Sequence, residues 1–147
     1  TADEHPFPAE NVVRYDTMYV ETGRFLERLL RDMRMAGGKV EVRRFASPAE
    51  VAALPEKLVF NCTGLGAAAL FGDTELVPVR GQLAVLIPQP EVQYAYLLSA
   101  GYMFPRGDGI LLGGTYERGE YLAEPQAQDI ADIVESHRSL MAGWRCA

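Results

Sequence analysis

The sequence is poor in the residues that usually announce a site. Two cysteines, Cys62 and Cys146, are too few for a disulfide framework. The two histidines, His5 and His137, have no partners at metal-ligand spacing, so no metal centre is expected. Nowhere is there a G-x-G-x-x-G string, the turn that seats a dinucleotide pyrophosphate at a helix start. No apolar run approaches eighteen residues, which excludes a membrane-spanning helix, and no signal peptide opens the sequence. A cytoplasmic location is the expectation. Positive charge is also short: 14 Lys and Arg against 20 Asp and Glu give a net charge of −6. The basic residues are scattered apart from Arg43 and Arg44, which argues against a nucleic-acid partner. There is no internal repeat and no low-complexity tract.

What is present is the composition of an ordinary soluble globular protein, 48% hydrophobic and 23% charged, in a chain of 147 residues long enough to bury a core. The organising stretch is Leu58 to Leu70. Leu58, Val59 and Phe60 read as a strand buried on both faces, Asn61 to Gly66 as a tight turn, and Ala67 to Leu70 as a helix start. Such a turn gathers backbone N–H groups at one point, where an anion or a cofactor edge is well received. Cys62 within it reads as a buried, inert thiol.

Ahead of this stretch, residues 1–10 read as an irregular leader and Tyr15 to Val20 as a short strand. Phe25, Leu26, Leu29, Leu30 and Met33 recur at helical spacing, with Thr22 placed to cap the helix and Gly37-Gly38 to stop it. The arginines on the opposite side read as a solvated face. Lys39 to Phe45 alternates like a strand, and Ser47-Pro48-Ala49-Glu50 is a capping box opening a short helix. The order helix, strand, short helix, strand is part of an α/β unit.

From Arg80 the pattern changes. Leu83 to Ile87, Val92 to Leu98, Tyr102 to Pro105 and Ile110 to Thr115 are short strand-like runs, and Arg106-Gly107-Asp108-Gly109 is a hairpin turn with Asp-Gly at its tip. This predicts an antiparallel sheet. Pro125 opens a last helix whose apolar stripe is Ile130, Ile133, Val134, His137, Leu140 and Met141, with His137 as a packed residue rather than a base. The fold class is therefore α/β followed by α+β, with residues 1–79 and 80–147 as the two regions.

Four strings occur in one order: Asn61-Cys62-Thr63-Gly64, Pro78-Val79-Arg80-Gly81-Gln82, Tyr102-Met103-Phe104-Pro105-Arg106 and Leu112-Gly113-Gly114-Thr115. In that order they resemble the D-amino-acid oxidase family, to which glycine oxidase and related amine-oxidising flavoenzymes belong. The resemblance runs from about Tyr15 to Gly119. It implies an FAD-dependent oxidoreductase acting on the C–N bond of an amino acid or amine, with hydride transfer to the flavin and dioxygen as acceptor. With no dinucleotide fingerprint, it implies the later part of a longer flavoenzyme, in which residues 1–79 complete an FAD-binding region and residues 80–147 form the substrate-binding region. The fragment alone is expected to be inactive.

By the same resemblance, Tyr102 matches the substrate-binding tyrosine, against the alternative of a half-buried strand tyrosine. Phe45, Asn61, Thr63, Gly64 and Leu65 match cofactor-binding positions, against the alternative of a tight turn with no ligand. The arginine that grips the substrate carboxylate in the family has two counterparts here. Arg145 lies in Ala142-Gly143-Trp144-Arg145, which follows Gly114 more closely than the matching string does in the family and has Cys146 where the family has proline; Arg106 lies near Tyr102. Gly113 and Gly114 mark either a close backbone approach or a bulge. The implied partner is a small amino acid or amine, with homo-oligomerisation open. A second function class also fits the residues: a non-catalytic module that binds a small molecule or protein on an oxidase-derived scaffold.

Overall fold

A computed structural model describes residues 5–144. The described chain falls into two halves that differ in how they bury their apolar residues.

In the first half, α1 (Thr22–Met35), α2 (Pro48–Ala52) and α3 (Ala67–Phe71) form where propensity and glycine stops place them. Gly37 takes φ +91° just beyond α1, and Gly72 takes φ +70° at the end of α3, the left-handed conformations that end a helix cheaply. The caps differ from expectation. Thr22 is the first helical residue of α1 and Glu21 holds the N-cap position, with no side-chain cap bond. At α2 the N-cap Ser47 makes no side-chain cap bond, and the Glu50 carboxylate accepts the N–H of Ala46, one residue before the N-cap, at 3.1 Å, so the capping box is replaced by a bond displaced by one residue.

The three strands expected in this half are absent. Residues 15–20, 39–45 and 57–60 carry no sheet ladder. Leu58 and Phe60, expected to be buried on both faces, are 72% and 80% exposed. The reason is physical: a strand exists through hydrogen bonds to a neighbouring strand, and among the described residues these segments have none. Likewise α1 buries none of its residues, although its apolar stripe has the spacing to do so.

The second half is a packed sheet. β1 (Val79–Arg80) and β6 (Glu117–Arg118) pair antiparallel. β2 (Leu83–Leu86), β3 (Tyr96–Leu98), β4 (Gly101–Arg106) and β5 (Gly109–Gly113) form a four-stranded antiparallel sheet in the order β2-β5-β4-β3. The hairpin expected at residues 106–109 is present, but its two-residue tip is Gly107-Asp108 rather than Asp108-Gly109, and Gly109 opens β5 opposite Arg106. α4 (Ala127–Ala142) crosses one face of this sheet and packs on β2, β4 and β5.

The register fixes what that face presents. Tyr96, Met103, Leu112 and Ala84 stand in one cross-strand row, and Ile110 lies two residues along on the same side. With Ile133 of α4 they make the buried core, and Ile130, Val134, Leu140, Phe7 and Trp144 pack around it. His137 is buried on the α4 stripe, as expected, whereas Met141 is exposed. The intervening residues, Leu97, Tyr102, Phe104, Leu111, Leu83 and Val85, stand on the opposite face, away from α4.

α1 meets this sheet at the hairpin. The Gly107 N–H donates to Glu21 Oε1 at 2.6 Å, and Glu21 also pairs with Arg24 at 2.9 Å. Tyr19 stacks nearly parallel on Phe104, with ring centroids 5.7 Å apart.

Met103 is 2% exposed at the centre of the core, whereas Val42 is 99% exposed. Met103→Ala is expected to lower stability by about 2–5 kcal/mol. Val42→Ala should stay within about 0.5 kcal/mol. Urea unfolding midpoints of the two variants check the contrast.

Candidate functional site

Tyr102 stands on the sheet face that α4 does not cover. Its cross-strand neighbour in β5 is Gly113, and its ring lies directly across that glycine. A Cβ placed on Gly113 would fall inside the Tyr102 ring, and one on Gly114 would come to 3.2 Å from the Tyr102 hydroxyl and 2.6 Å from the Gln82 carbonyl. The two glycines, which are joined by a cis peptide bond, are thus a close backbone approach: only residues without side chains leave room for the ring. Phe104 flanks Tyr102, with ring centroids 5.5 Å apart, and Tyr19 stacks on the far side of Phe104. The result is an aromatic row on an open apolar surface, with the Tyr102 hydroxyl at its Gly114 end.

Behind the glycines a buried relay reaches through from α4. His137, 2% exposed, bonds the Gly113 carbonyl through Nε2 at 3.0 Å and the Tyr96 hydroxyl through Nδ1 at 2.6 Å. A carbonyl only accepts, so Nε2 carries the proton; in the neutral ring Nδ1 then accepts from Tyr96. Burial, with a smaller effect of Tyr94, pushes the Tyr96 hydroxyl up to about 12, which keeps its proton in place.

A polar network closes the neighbouring edge. Arg80 donates from Nε to Glu117 Oε2 at 3.1 Å and from Nη2 to the same oxygen, while its Nη1 donates to the Leu122 carbonyl at 3.1 Å. The other Glu117 oxygen accepts from the Thr115 hydroxyl at 2.6 Å and the Gln82 amide at 3.3 Å. Buried Gln82 also donates to Asp129, and its carbonyl accepts the Gln126 N–H at 2.6 Å, which anchors the start of α4. The Arg80 hydrogen bond, followed by that from Thr115, holds the Glu117 carboxyl down at about 2. The network uses the residues of the Arg-Gly-Gln string for architecture. Its partner Glu117 gave no signal in the sequence, because nothing local marks an ion pair between distant positions.

The other predicted residues lie elsewhere. Arg106 is on the same face as Tyr102, two alternations along β4, and its guanidinium is engaged by Asp108 across the hairpin turn. Arg145 lies outside the described residues. Asn61 Oδ1 accepts the Thr63 N–H at 3.2 Å and the Thr63 hydroxyl at 2.8 Å, a side-chain turn that feeds a short 3-10 turn at Gly64–Gly66. Gly64 has φ +54° and open space where a Cβ would stand. Leu65 is exposed, and the Arg43 guanidinium sits 4.9 Å from the Phe45 ring centre. The expectation for Cys62 is corrected: it is exposed and free, because the strand meant to bury it forms no ladder. Among the described residues no cluster of His, Cys, Asp or Glu has metal-binding geometry, and no helix is long and apolar enough to cross a membrane. A cleft of about 220 Å³ between α4 and the Gly113–Thr115 backbone is lined by Asp129, Asp132 and Ser136 and does not include Tyr102.

The chain is 31% identical over 112 residues to a D-amino acid oxidase of Dugesia ryukyuensis, which covers 75% of this chain and 33% of the relative. It is 40% identical over 115 residues to a D-amino-acid oxidase of Streptomyces coelicolor, covering 74% and 33% respectively. With a human D-aspartate oxidase it shares 30% identity over 122 residues, 82% of this chain and 35% of the relative. The chain belongs to the D-amino-acid oxidase family. It spans about a third of the length of these relatives. No family model matches. Within the family frame, the Tyr102 face and the Arg80–Glu117 network are separate devices, one open and apolar, the other closed and charged.

The low carboxyl value of Glu117 sets an acid limb. Its folded value of about 2 lies below its ordinary value of 4.5, so the stability it contributes is complete above about 4.5 and is lost as pH falls through about 2. Thermal unfolding of the wild type should therefore show a falling Tm across that window. Glu117→Gln should lower Tm at neutral pH and flatten the limb, measured by circular dichroism melts from pH 2 to 7.

Proposed function

We propose that this chain forms the substrate-side sheet and part of the cofactor-binding region of an FAD-dependent oxidase of D-amino acids or related amines. The division at residues 79 and 80 separates these two contributions, and further sequence supplies the rest of the flavin site. The observation that carries the reading is the seat of Tyr102: a phenol on an open apolar sheet face, with two glycines cleared beneath it. The kinship with D-amino-acid and D-aspartate oxidases supports it.

The residues present fit the cofactor. Gly64, in left-handed conformation with open space beside it, leaves the turn backbone free for close approach, and Asn61 and Thr63 brace that turn. Phe45, Asn61, Thr63, Gly64 and Leu65 would hold FAD. Bound there, FAD would supply the two-electron oxidation of the substrate C–N bond, with dioxygen as the final acceptor and hydrogen peroxide and a keto acid as products after hydrolysis.

The chain's own work is binding and orientation. The Tyr102 hydroxyl donates to the substrate carboxylate, a charge-assisted bond strongest where water is excluded. Phe104, Leu111 and Leu83 supply the apolar surroundings that exclude it. Arg106, whose Nε and Nη2 are engaged by Asp108, and Arg145 are the two guanidinium groups assigned to that carboxylate. The binding-module alternative shares this surface but lacks turnover.

The test uses the longer FAD-loaded enzyme that this proposal implies. It should release peroxide from D-amino acids, and Tyr102→Phe should lower kcat/KM by roughly threefold to a hundredfold, the worth of one hydrogen bond to a neutral or charged partner. Flavin content should not change. Unchanged kcat/KM would remove Tyr102 from the substrate site, and flavin-loaded protein without peroxide release would favour the binding module.

A further inference from the structure

The relay behind the glycines gives His137 a role beyond packing. Its Nε2–H grips the Gly113 carbonyl, and the opposite side of that same residue is the surface on which the Tyr102 ring lies. Tyr102 therefore has no side chain beneath it to fix its height; a backbone position does so. That position is held by sheet pairing with Leu83 and Tyr102 and by the His137 bond to its carbonyl. The approach is close enough to constrain β4 as well. A Cβ on Gly101 would meet the Gly113 carbonyl at 2.5 Å and His137 Nε2 at 2.8 Å, so this glycine, with φ +140°, is what lets the imidazole reach the strand.

We propose that His137 is a positioning residue for Tyr102, holding the Gly113 carbonyl from behind the sheet so that the tyrosine ring is seated at a fixed height on the open face. Tyr96 orients the imidazole by donating to Nδ1, so the chain of contacts runs Tyr96, His137, Gly113, Tyr102. The consequence for turnover rests on the assignment of Tyr102 as the substrate contact; the seating itself does not.

Two isosteric variants divide the imidazole into its halves. In His137→Gln the amide reaches the place of Nε2 and still donates to Gly113. In His137→Asn the shorter side chain serves Tyr96 and releases Gly113. Both replace a buried ring and should lower Tm similarly. They are compared in the FAD-loaded protein by 13C NMR of ring-labelled tyrosine, with the Tyr102 signal assigned through its loss in Tyr102→Phe, and by steady-state kinetics. The expected result is a shifted or broadened Tyr102 signal and a KM raised about three- to tenfold, with kcat less affected, for His137→Asn, and near wild-type values of both for His137→Gln. Tyr96→Phe removes the bond that orients the imidazole; it should shift the Tyr102 signal less than His137→Asn does, and it serves if either histidine variant fails to fold, an unmoved signal then overturning the proposal.

Equal effects of Asn and Gln would reduce His137 to a packing residue and overturn the proposal, as would an unmoved Tyr102 signal in His137→Asn. A moved signal with unchanged KM would uphold the seating and instead remove Tyr102 from the substrate site.

Discussion

The pairing of β4 with β5 is the constraint on which the rest of the sheet depends. In an antiparallel pair every side chain is committed to one face, and a slip of a single residue exchanges the faces. Here that register puts Met103, Ile110 and Leu112 under α4 and Tyr102, Phe104 and Leu111 on the open side. It also places Tyr102 opposite Gly113 rather than opposite Leu112, where the ring would collide with a side chain. Core and site are thus two readings of one alignment, and neither could move without the other.

The two polar systems of the second half divide the labour by charge. The Arg80–Glu117 network holds an ion pair at the rim of the fold, where Thr115, Gln82 and the Leu122 carbonyl occupy the remaining hydrogen-bonding positions. Saturating a charge pair in this way is what makes its partial burial tolerable. The His137 relay is wholly inside, with both ring nitrogens hydrogen-bonded. Its hydrogen bonds join α4 to Tyr96 of β3 and to the Gly113 carbonyl of β5.

Much of the second half was legible in the sequence because its signals are local. Alternation with period two names the strands, Asp108-Gly109 names the hairpin, and the spacing of Ile130, Ile133, Val134 and His137 names the helix that covers it. The first half was legible only in part for the complementary reason. α1 and its glycine stop can be read from their own residues, but Lys39 to Phe45 and Leu58 to Phe60 become strands only through a ladder, and no described residue offers one. The exposure of Cys62 follows from the same lack. The seat of Tyr102 was half legible: two adjacent glycines announce a close approach, yet which ring approaches them depends on register. Glu117 and His137 were invisible as partners, since hydrogen bonds across the fold leave no trace in spacing.

The turn at Gly107 and Asp108 also has a meaning in time. Joining strands through two residues costs little loop entropy, so β4 and β5 have far less chain to search than β2, which must come from beyond a long proline-containing loop to meet the other edge of β5. The Tyr102 ring and its glycine seat belong entirely to this short-range pair. His137, by contrast, arrives only when α4 docks. The Tyr102 seat is therefore drawn by one of the two shortest connections in the sheet, while the helix that braces it from behind is the last element of the described chain.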